Sequence, residues 1–188
     1  EFGKAHAEVN AIKSVQDKSL LSESIIYVTL EPCAHQGKTP PCTDLIIQNQ
    51  FKRVVIGCID TFSEVSGKGI ERLKNAGIEF EVGCLEKECR ELNKHFFTFH
   101  EKNRPFVFLK WAETINGKLD NGSNNQTVTI VSSPESKTLV HHWRRNHQAI
   151  LVGKNTILND NPSLTVRAIN GKNPIRIVLD SNSSLTTS

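Results

Sequence analysis

The first hundred residues alternate β-branched runs with segments of helical apolar spacing, and this alternation constrains the fold more than any other feature. Ile25–Leu30 and Arg53–Ile59 are strand-like runs, and the second is typical of a buried strand. Apolar residues at helical spacing precede the first run, over Ala5–Val15. The same pattern predicts helices at 42–50, 68–76 and 86–97, and a strand at 78–82. The order of elements predicts a layered α/β domain with parallel strand pairing.

A polar stretch near residue 102 separates this region from a second half. We therefore predict two domains, 1–102 and 103–188. The second half is expected to contain strands at 106–112, 149–152 and 175–179, a turn at Asn116-Gly117, a loop at 120–126, and a helix from about Pro134 to Arg145 with Ser133 as its N-cap. These strands are too few to close a sheet of their own, so we expect the 188 residues to be part of a longer chain.

Composition excludes several classes of function. The formal net charge is only +3, the basic residues are scattered, and no apolar run approaches the roughly 18 residues of a membrane span, so we expect neither a nucleic-acid nor a membrane partner. The five cysteines are an odd number in a chain too large to need disulfides, which favours a reduced, cytoplasmic setting. We expect Cys58, Cys84 and Cys89 to be structural.

Four residues form a candidate metal site, namely His6, Glu8, Cys33 and Cys42. A zinc deaminase needs three protein ligands, an open position for water, and a carboxylate that moves the water proton. A step of two residues turns a helix by about 200°, so His6 and Glu8 can serve one site only if the helix begins there. The sequence also predicts a helix start at Cys42, where the partial positive charge favours the thiolate that zinc binds.

The spacing of the two cysteines leaves alternatives open. Eight residues separate Cys33 from Cys42, whereas the short deaminase pattern has two. The alternative is a stand-alone nucleobase or nucleoside deaminase, or an RNA-editing deaminase, and the short spacing is expected of the editing enzyme. A purely structural zinc module would require a fourth ligand, for which His35 is a candidate, although we favour a substrate-side role for His35. The Gly37-Lys38-Thr39 segment is not a P-loop, since Pro32 stands where that motif needs glycine.

Two segments resemble a known family. The sequence HAEVNA at 6–11, followed by TLEPCAHQGKTPPC at 29–42, closely resembles the bifunctional riboflavin-biosynthesis deaminase/reductase. The resemblance implies a cytidine-deaminase-like fold, zinc held by His6, Cys33 and Cys42, and Glu8 as the catalytic proton shuttle. It also implies a phosphorylated pyrimidine as substrate, with Lys38 and Thr39 at its phosphate, where a lysine and a hydroxyl suit an anion.

The second half resembles the reductase domain of the same family, through KWAETINGK at 110–118, VHHWRR at 140–145 and AILVGKNTILNDNPSLTVR at 149–167. The resemblance implies a partial dihydrofolate-reductase-like α/β domain that uses NADPH to reduce the ribosyl chain, and a homo-oligomer. The implied substrate contacts are Arg144, Leu164 and Arg167, and the implied NADPH contacts are Ala112, Thr156 and Asp160. The chain departs from the family pattern at Phe62, Asn116 and Ile130.

Overall fold

The computed structural model describes residues 4–37, 39–62, 66–119 and 130–185. The chain divides into two compact units, Glu1–Phe108 and Leu109–Ser188. Within the described residues, none of the helices combines the length and apolar character that crossing a bilayer requires.

The first unit is built on a parallel sheet of three strands in the order β1-β2-β3. The strands span Ile25–Leu30, Arg53–Cys58 and Glu79–Val82. Val28 pairs with Ile56, which in turn pairs with Val82. The central strand β2 is buried from its second residue to its last, because a central parallel strand is covered on both faces. The predicted α/β class and the parallel pairing are confirmed.

Short helices cover this sheet. They are α1 (Ala7–Ser14), a 3-10 helix (Lys18–Glu23), α2 (Cys42–Gln48), α3 (Lys68–Asn75), α4 (Glu86–Leu92) and α5 (Lys94–Lys102). Their apolar faces and the strands form one core of fully enclosed side chains, made by Ile12, Leu21, Ile26, Ile46, Phe51, Val54, Ile56 and Leu73. Gly77 follows the end of α3 in the left-handed region at φ +72°, where glycine is the usual residue after a helix.

The predicted single helix at 86–97 is wrong, because the helix is interrupted at Asn93, between α4 and α5. The side-chain amide of Asn93 donates to the carbonyl of Cys89 at 2.9 Å. Asparagine side chains compete in this way with the helical hydrogen-bond ladder, so Asn93 ends one helix and begins the next.

The second unit contains a parallel pair of strands, β4 (Ala149–Gly153) and β5 (Ile175–Leu179), and two helices, α6 (Pro134–Asn146) and α7 (Lys154–Asp160). The Ser133 hydroxyl accepts from the Ser136 amide at 3.3 Å, which confirms the predicted N-cap. The turn at Asn116-Gly117 is also confirmed, since the Thr114 amide donates to the Lys118 carbonyl at 2.9 Å. All five residues of β5 are exposed.

The predicted strand at 106–112 is wrong, because this segment has no regular secondary structure. Its side chains include Val107, Leu109 and Trp111, all of which are more than half exposed. Strand propensity reflects packing on a sheet, and no described strand pairs with this segment. The predicted loop at 120–126 lies outside the described residues.

The core predicts a large difference between two leucine truncations. Leu73 on α3 is fully buried, whereas Leu92 at the end of α4 is 71% exposed. Leu73→Ala is expected to lower the free energy of unfolding by about 2–5 kcal/mol, because it leaves a cavity. Leu92→Ala is the matched control, with an expected change within about 0.5 kcal/mol. Urea unfolding followed by far-UV circular dichroism measures both, and equal losses would contradict this account of the core.

Candidate metal centre and basic site

The first part of the candidate site lies where α1 begins. His6 is the N-cap residue, with extended backbone angles of φ −67° and ψ 165°. Its carbonyl accepts the first helical hydrogen bond, from the Asn10 amide at 3.1 Å. Glu8 lies in the first turn. The helix therefore starts where the His6/Glu8 spacing requires, and both side chains are available at one helix end.

The second part joins the loop after β1 to the start of α2. Cys42 is the first residue of α2, and its backbone amide donates to the Sγ atom of Cys33 at 3.3 Å. The Thr43 amide and hydroxyl both donate to the Cys33 carbonyl, at 3.2 and 3.0 Å. Thr43 is fully buried. Its role in fixing Cys33 was missed by the sequence analysis, because a threonine in a first helical turn has no distinctive pattern.

The structure brings the three predicted ligands together. The ligand atoms of His6, Cys33 and Cys42 all lie within 4.8 Å of one another. The Nδ1 atom of His6 is 3.6 Å from the Cys33 sulfur and 3.3 Å from the Cys42 sulfur. Tetrahedral zinc with bonds of about 2.0–2.1 Å to nitrogen and about 2.3 Å to sulfur places N and S about 3.5 Å apart. The donor set and its spacing therefore fit a zinc ion.

Electrostatics in this cluster favour one thiolate. The Cys42 thiol and backbone amide donate to Cys33, and they lower the pKa of Cys33 to about 5 against the cost of burial. The pKa of Cys42 is raised, first by its hydrogen bond to Cys33, then by burial and by the Glu8 carboxylate. Because the Glu8 carboxylate raises the pKa of Cys42, it must lie beside the ligand cluster.

His35 does not belong to this group of three ligands. Its ring packs edge-on against Phe62, with centroids 6.3 Å apart, and its buried Nδ1 atom has no hydrogen-bond partner among the described residues. Phe62 donates its amide to the Asp60 carboxylate at 2.7 Å. Burial, followed by the nearby Glu31 carboxylate, raises the pKa of Asp60. Phe62 thus contacts both His35 and Asp60, and none of the three belongs to the group of metal ligands.

A cluster in the second unit contains two of the predicted substrate residues. Arg144 on α6 donates to the Thr165 carbonyl at 3.0 Å, and its buried Nε atom has no partner among the described residues. Burial and the neighbouring Arg167 lower the pKa of Arg144. The Arg167 amide donates to Nδ1 of the buried His141 at 3.2 Å. Burial and the two arginines lower the pKa of His141, in keeping with a neutral ring that accepts this bond.

The other predicted residues are more scattered. Leu164 is only 5% exposed and has φ +54°. Thr156 and Asp160 lie one turn apart on α7, while Ala112 lies in the irregular segment before the Asn116-Gly117 turn. No side-chain hydrogen bond or ion pair joins these last three within the described residues. Thr39 is half-buried, and Lys38 lies outside the described residues.

Comparison with known proteins gives two family matches. A model described as "Cytidine and deoxycytidylate deaminase zinc-binding region" matches residues 3–58, and one described as "RibD C-terminal domain" matches residues 105–188. The chain is 48% identical over 179 residues to riboflavin biosynthesis protein RibD of Aquifex aeolicus, which covers 95% of this chain and 49% of the relative. The RibD protein of Escherichia coli is 35% identical over 197 residues, with 98% of this chain and 53% of the relative covered.

By these matches, the chain carries a zinc-binding deaminase region followed by a RibD C-terminal domain region, and it is similar to RibD proteins over nearly its whole length.

Solved RibD structures agree with this assignment. The chain superposes on the diaminohydroxyphosphoribosylaminopyrimidine deaminase/5-amino-6-(5-phosphoribosylamino)uracil reductase of Thermotoga maritima with a TM-score of 0.88 and 43% identity, covering 100% of this chain and 53% of that one. Acinetobacter baumannii RibD gives a TM-score of 0.88 at 34% identity, covering 99% and 53%. The predicted cytidine-deaminase-like and dihydrofolate-reductase-like fold classes are confirmed. The chain spans about half the length of the relatives that it matches.

The thiol pair generates a prediction about proton release. With the pKa of Cys33 near 5 and that of Cys42 raised, the metal-free pair holds one proton at pH 6.5, where zinc-bound water is still largely protonated. Because zinc requires both thiolates, binding is expected to release about one proton from the pair, whereas two independent thiols would release about two. Calorimetric titration with zinc in buffers of different ionisation enthalpy measures this number. Cys84→Ser is the control and should leave it unchanged, while release of about two protons would contradict the shared-proton description.

Proposed function

We propose that this chain is the deaminase part, with at least some of the reductase part, of a bifunctional enzyme of riboflavin biosynthesis. The deaminase would hydrolyse one amine of a diamino-phosphoribosylamino-pyrimidinone and release ammonia. The observation that carries the proposal is the cluster of His6, Cys33 and Cys42 with the Glu8 carboxylate beside it. Three ligands leave a tetrahedral metal one position for water, as catalytic zinc sites require.

Each residue then has a distinct chemical task. His6, Cys33 and Cys42 hold the ion. Bound zinc supplies the Lewis acidity that brings the pKa of water towards neutrality. Glu8 accepts the proton from the water and delivers it to the departing amine, so that water and the amino-pyrimidine become a carbonyl group and ammonia. The proximity of Glu8 to Cys42 supports this role, since it places the carboxylate beside the metal centre.

The proposed substrate carries a phosphate, which Lys38 and Thr39 would bind from the loop between the two cysteines. A lysine ammonium and a hydroxyl suit an anionic oxygen. The same eight-residue insertion speaks against an editing deaminase, for which the short cysteine spacing is expected. The similarity to RibD proteins does not favour that alternative either.

For the second unit we propose NADPH-dependent reduction of the ribosyl chain to ribityl. The neighbouring Arg144 and Arg167 suit the phosphate of the substrate, because guanidinium groups match its geometry. Since the side chain of Leu164 is buried, its substrate contact would be made by the main chain. Ala112, Thr156 and Asp160 are the proposed NADPH contacts, and the match to the RibD C-terminal domain supports this assignment.

Three wider expectations belong to the proposal. All five cysteines are free thiols, which supports a reduced, cytoplasmic setting. The resemblance to the family supports a homo-oligomer. The proposed partner is a small phosphorylated pyrimidine rather than a nucleic acid or a membrane.

The role of Glu8 is tested by Glu8→Gln. Because glutamine cannot accept the proton, ammonia release from the phosphorylated diamino-pyrimidinone is expected to fall by about 10²-fold or more. Zinc content should stay near one per chain, because Glu8 is not among the three ligands. Ammonia release and metal content measured on the same preparation report both effects.

Glu23→Gln is the matched control, because Glu23 is exposed at the end of the 3-10 helix and should leave the rate unchanged. Loss of zinc from the Glu8 variant would make Glu8 a ligand and contradict its role as proton shuttle. Faster deamination of cytidine than of the phosphorylated pyrimidine by the unaltered chain would contradict the proposed substrate.

A further inference from the structure

Glu31 is a buried carboxylate that the deaminase chemistry does not use. It directly follows β1, lies two residues before the ligand Cys33, and is only 3% exposed. Its oxygens accept four backbone amides, namely Asp60 at 3.2 Å and Gly67 at 3.0 Å on Oε2, and Gly69 at 2.9 Å and Ile70 at 3.3 Å on Oε1. Burying a carboxylate is costly unless hydrogen bonds replace its water, and these four bonds do so.

Three of these amides belong to the start of α3, which has no capping side chain of its own. Its N-cap residue is Gly67, at φ +75°. The first amides of a helix have no intrahelical acceptor, so a buried helix start needs acceptors from elsewhere. Glu31 supplies them from the end of a different element. Gly69 permits the close approach, since a Cβ atom there would lie 2.3 Å from the Pro32 carbonyl oxygen.

The same carboxylate also binds the loop after β2. The Glu31 amide donates to the Cys58 carbonyl at 2.9 Å, while its side chain accepts from the Asp60 amide. Asp60 in turn accepts from Phe62, whose ring contacts His35 within the loop between the two cysteines. One side chain thus joins the strand that leads to Cys33, the loop that carries Asp60, and the first turn of α3.

We propose that Glu31 is a positioning residue for the metal centre. By fixing Pro32 against β2 and α3, it sets where the Cys33 sulfur lies relative to His6 and Cys42. It acts through the backbone and touches neither the ligand atoms nor the substrate. This proposal rests on the proposed function, in that the ion held by the three ligands is zinc.

The test compares Glu31→Gln with Glu71→Gln in the full 188-residue chain. Glutamine has the size of glutamate but turns an NH₂ group towards two of the four amides, so two bonds are lost. Glu71 is an exposed residue in the first turn of the same helix, and its variant is the matched control. Zinc affinity is measured by competition with a chromophoric chelator, with the metal alone as the probe.

Zinc affinity is expected to fall by about tenfold or more in Glu31→Gln, the loss typical of groups that orient metal ligands, and to stay unchanged in Glu71→Gln. Equal affinity of Glu31→Gln and the unaltered chain overturns this proposal alone. Absence of zinc binding by the unaltered chain overturns the proposed function and this proposal with it. If Glu31 only stabilised the fold, the zinc affinity of the folded variant would equal that of the unaltered chain.

A second measurement needs no variant. Amide hydrogen exchange of the unaltered chain reports on Gly67, Gly69 and Ile70, which at an ordinary helix start would exchange rapidly. Because these amides donate to a buried carboxylate, hydrogen exchange at all three is expected to be at least about tenfold slower than in an unstructured peptide. Exchange at the unstructured rate overturns the proposal, even where Glu31→Gln does not fold.

Discussion

The rest of the first unit depends on one constraint. One imidazole and two thiol groups must come together with their ligand atoms less than 5 Å apart. The three groups come from sequence positions up to 36 residues apart. The hydrogen bond between the two thiol groups lowers the pKa of Cys33 and raises that of Cys42. With an ion, the same positions become a tetrahedral donor set. The fold must therefore supply the geometry before the metal arrives.

The parallel sheet supplies that geometry. Since β1 and β2 run in the same direction, Glu31 and Asp60 emerge at the same carboxyl edge, where open α/β sheets place their ligands. The starts of two helices complete the site: α1 contributes His6 and Glu8, while α2 contributes Cys42 and the donors that fix Cys33. Glu31 connects this edge to the start of α3. The ligand positions therefore follow from backbone hydrogen bonds rather than from the metal.

Much of this was predictable from the sequence, because local patterns identify helix starts and buried strands. The ligands and Glu8 were predicted from the deaminase pattern and the family resemblance, and their sharing of one site required a helix that begins there, as α1 does. Contacts that depend on the tertiary fold were missed. Thr43 carries no motif, and Glu31, although it lies within the segment 29–42 that resembles the family, has backbone amides distant in sequence as its partners. The interruption at Asn93 and the irregular segment at 106–112 were missed for a related reason, since competing side-chain bonds and absent strand partners override propensity.

X-ray absorption at the zinc edge tests the central claim most directly, because it reports the atoms that surround the ion. For the zinc-loaded chain, the account predicts two sulfur atoms at about 2.3 Å and two lighter atoms at about 2.0–2.1 Å, one of them the His6 nitrogen. A shell of three or four sulfur atoms would bring Cys58, Cys84 or Cys89 into the site. That result, or a shell with fewer than two sulfur atoms, would contradict the metal centre described for His6, Cys33 and Cys42.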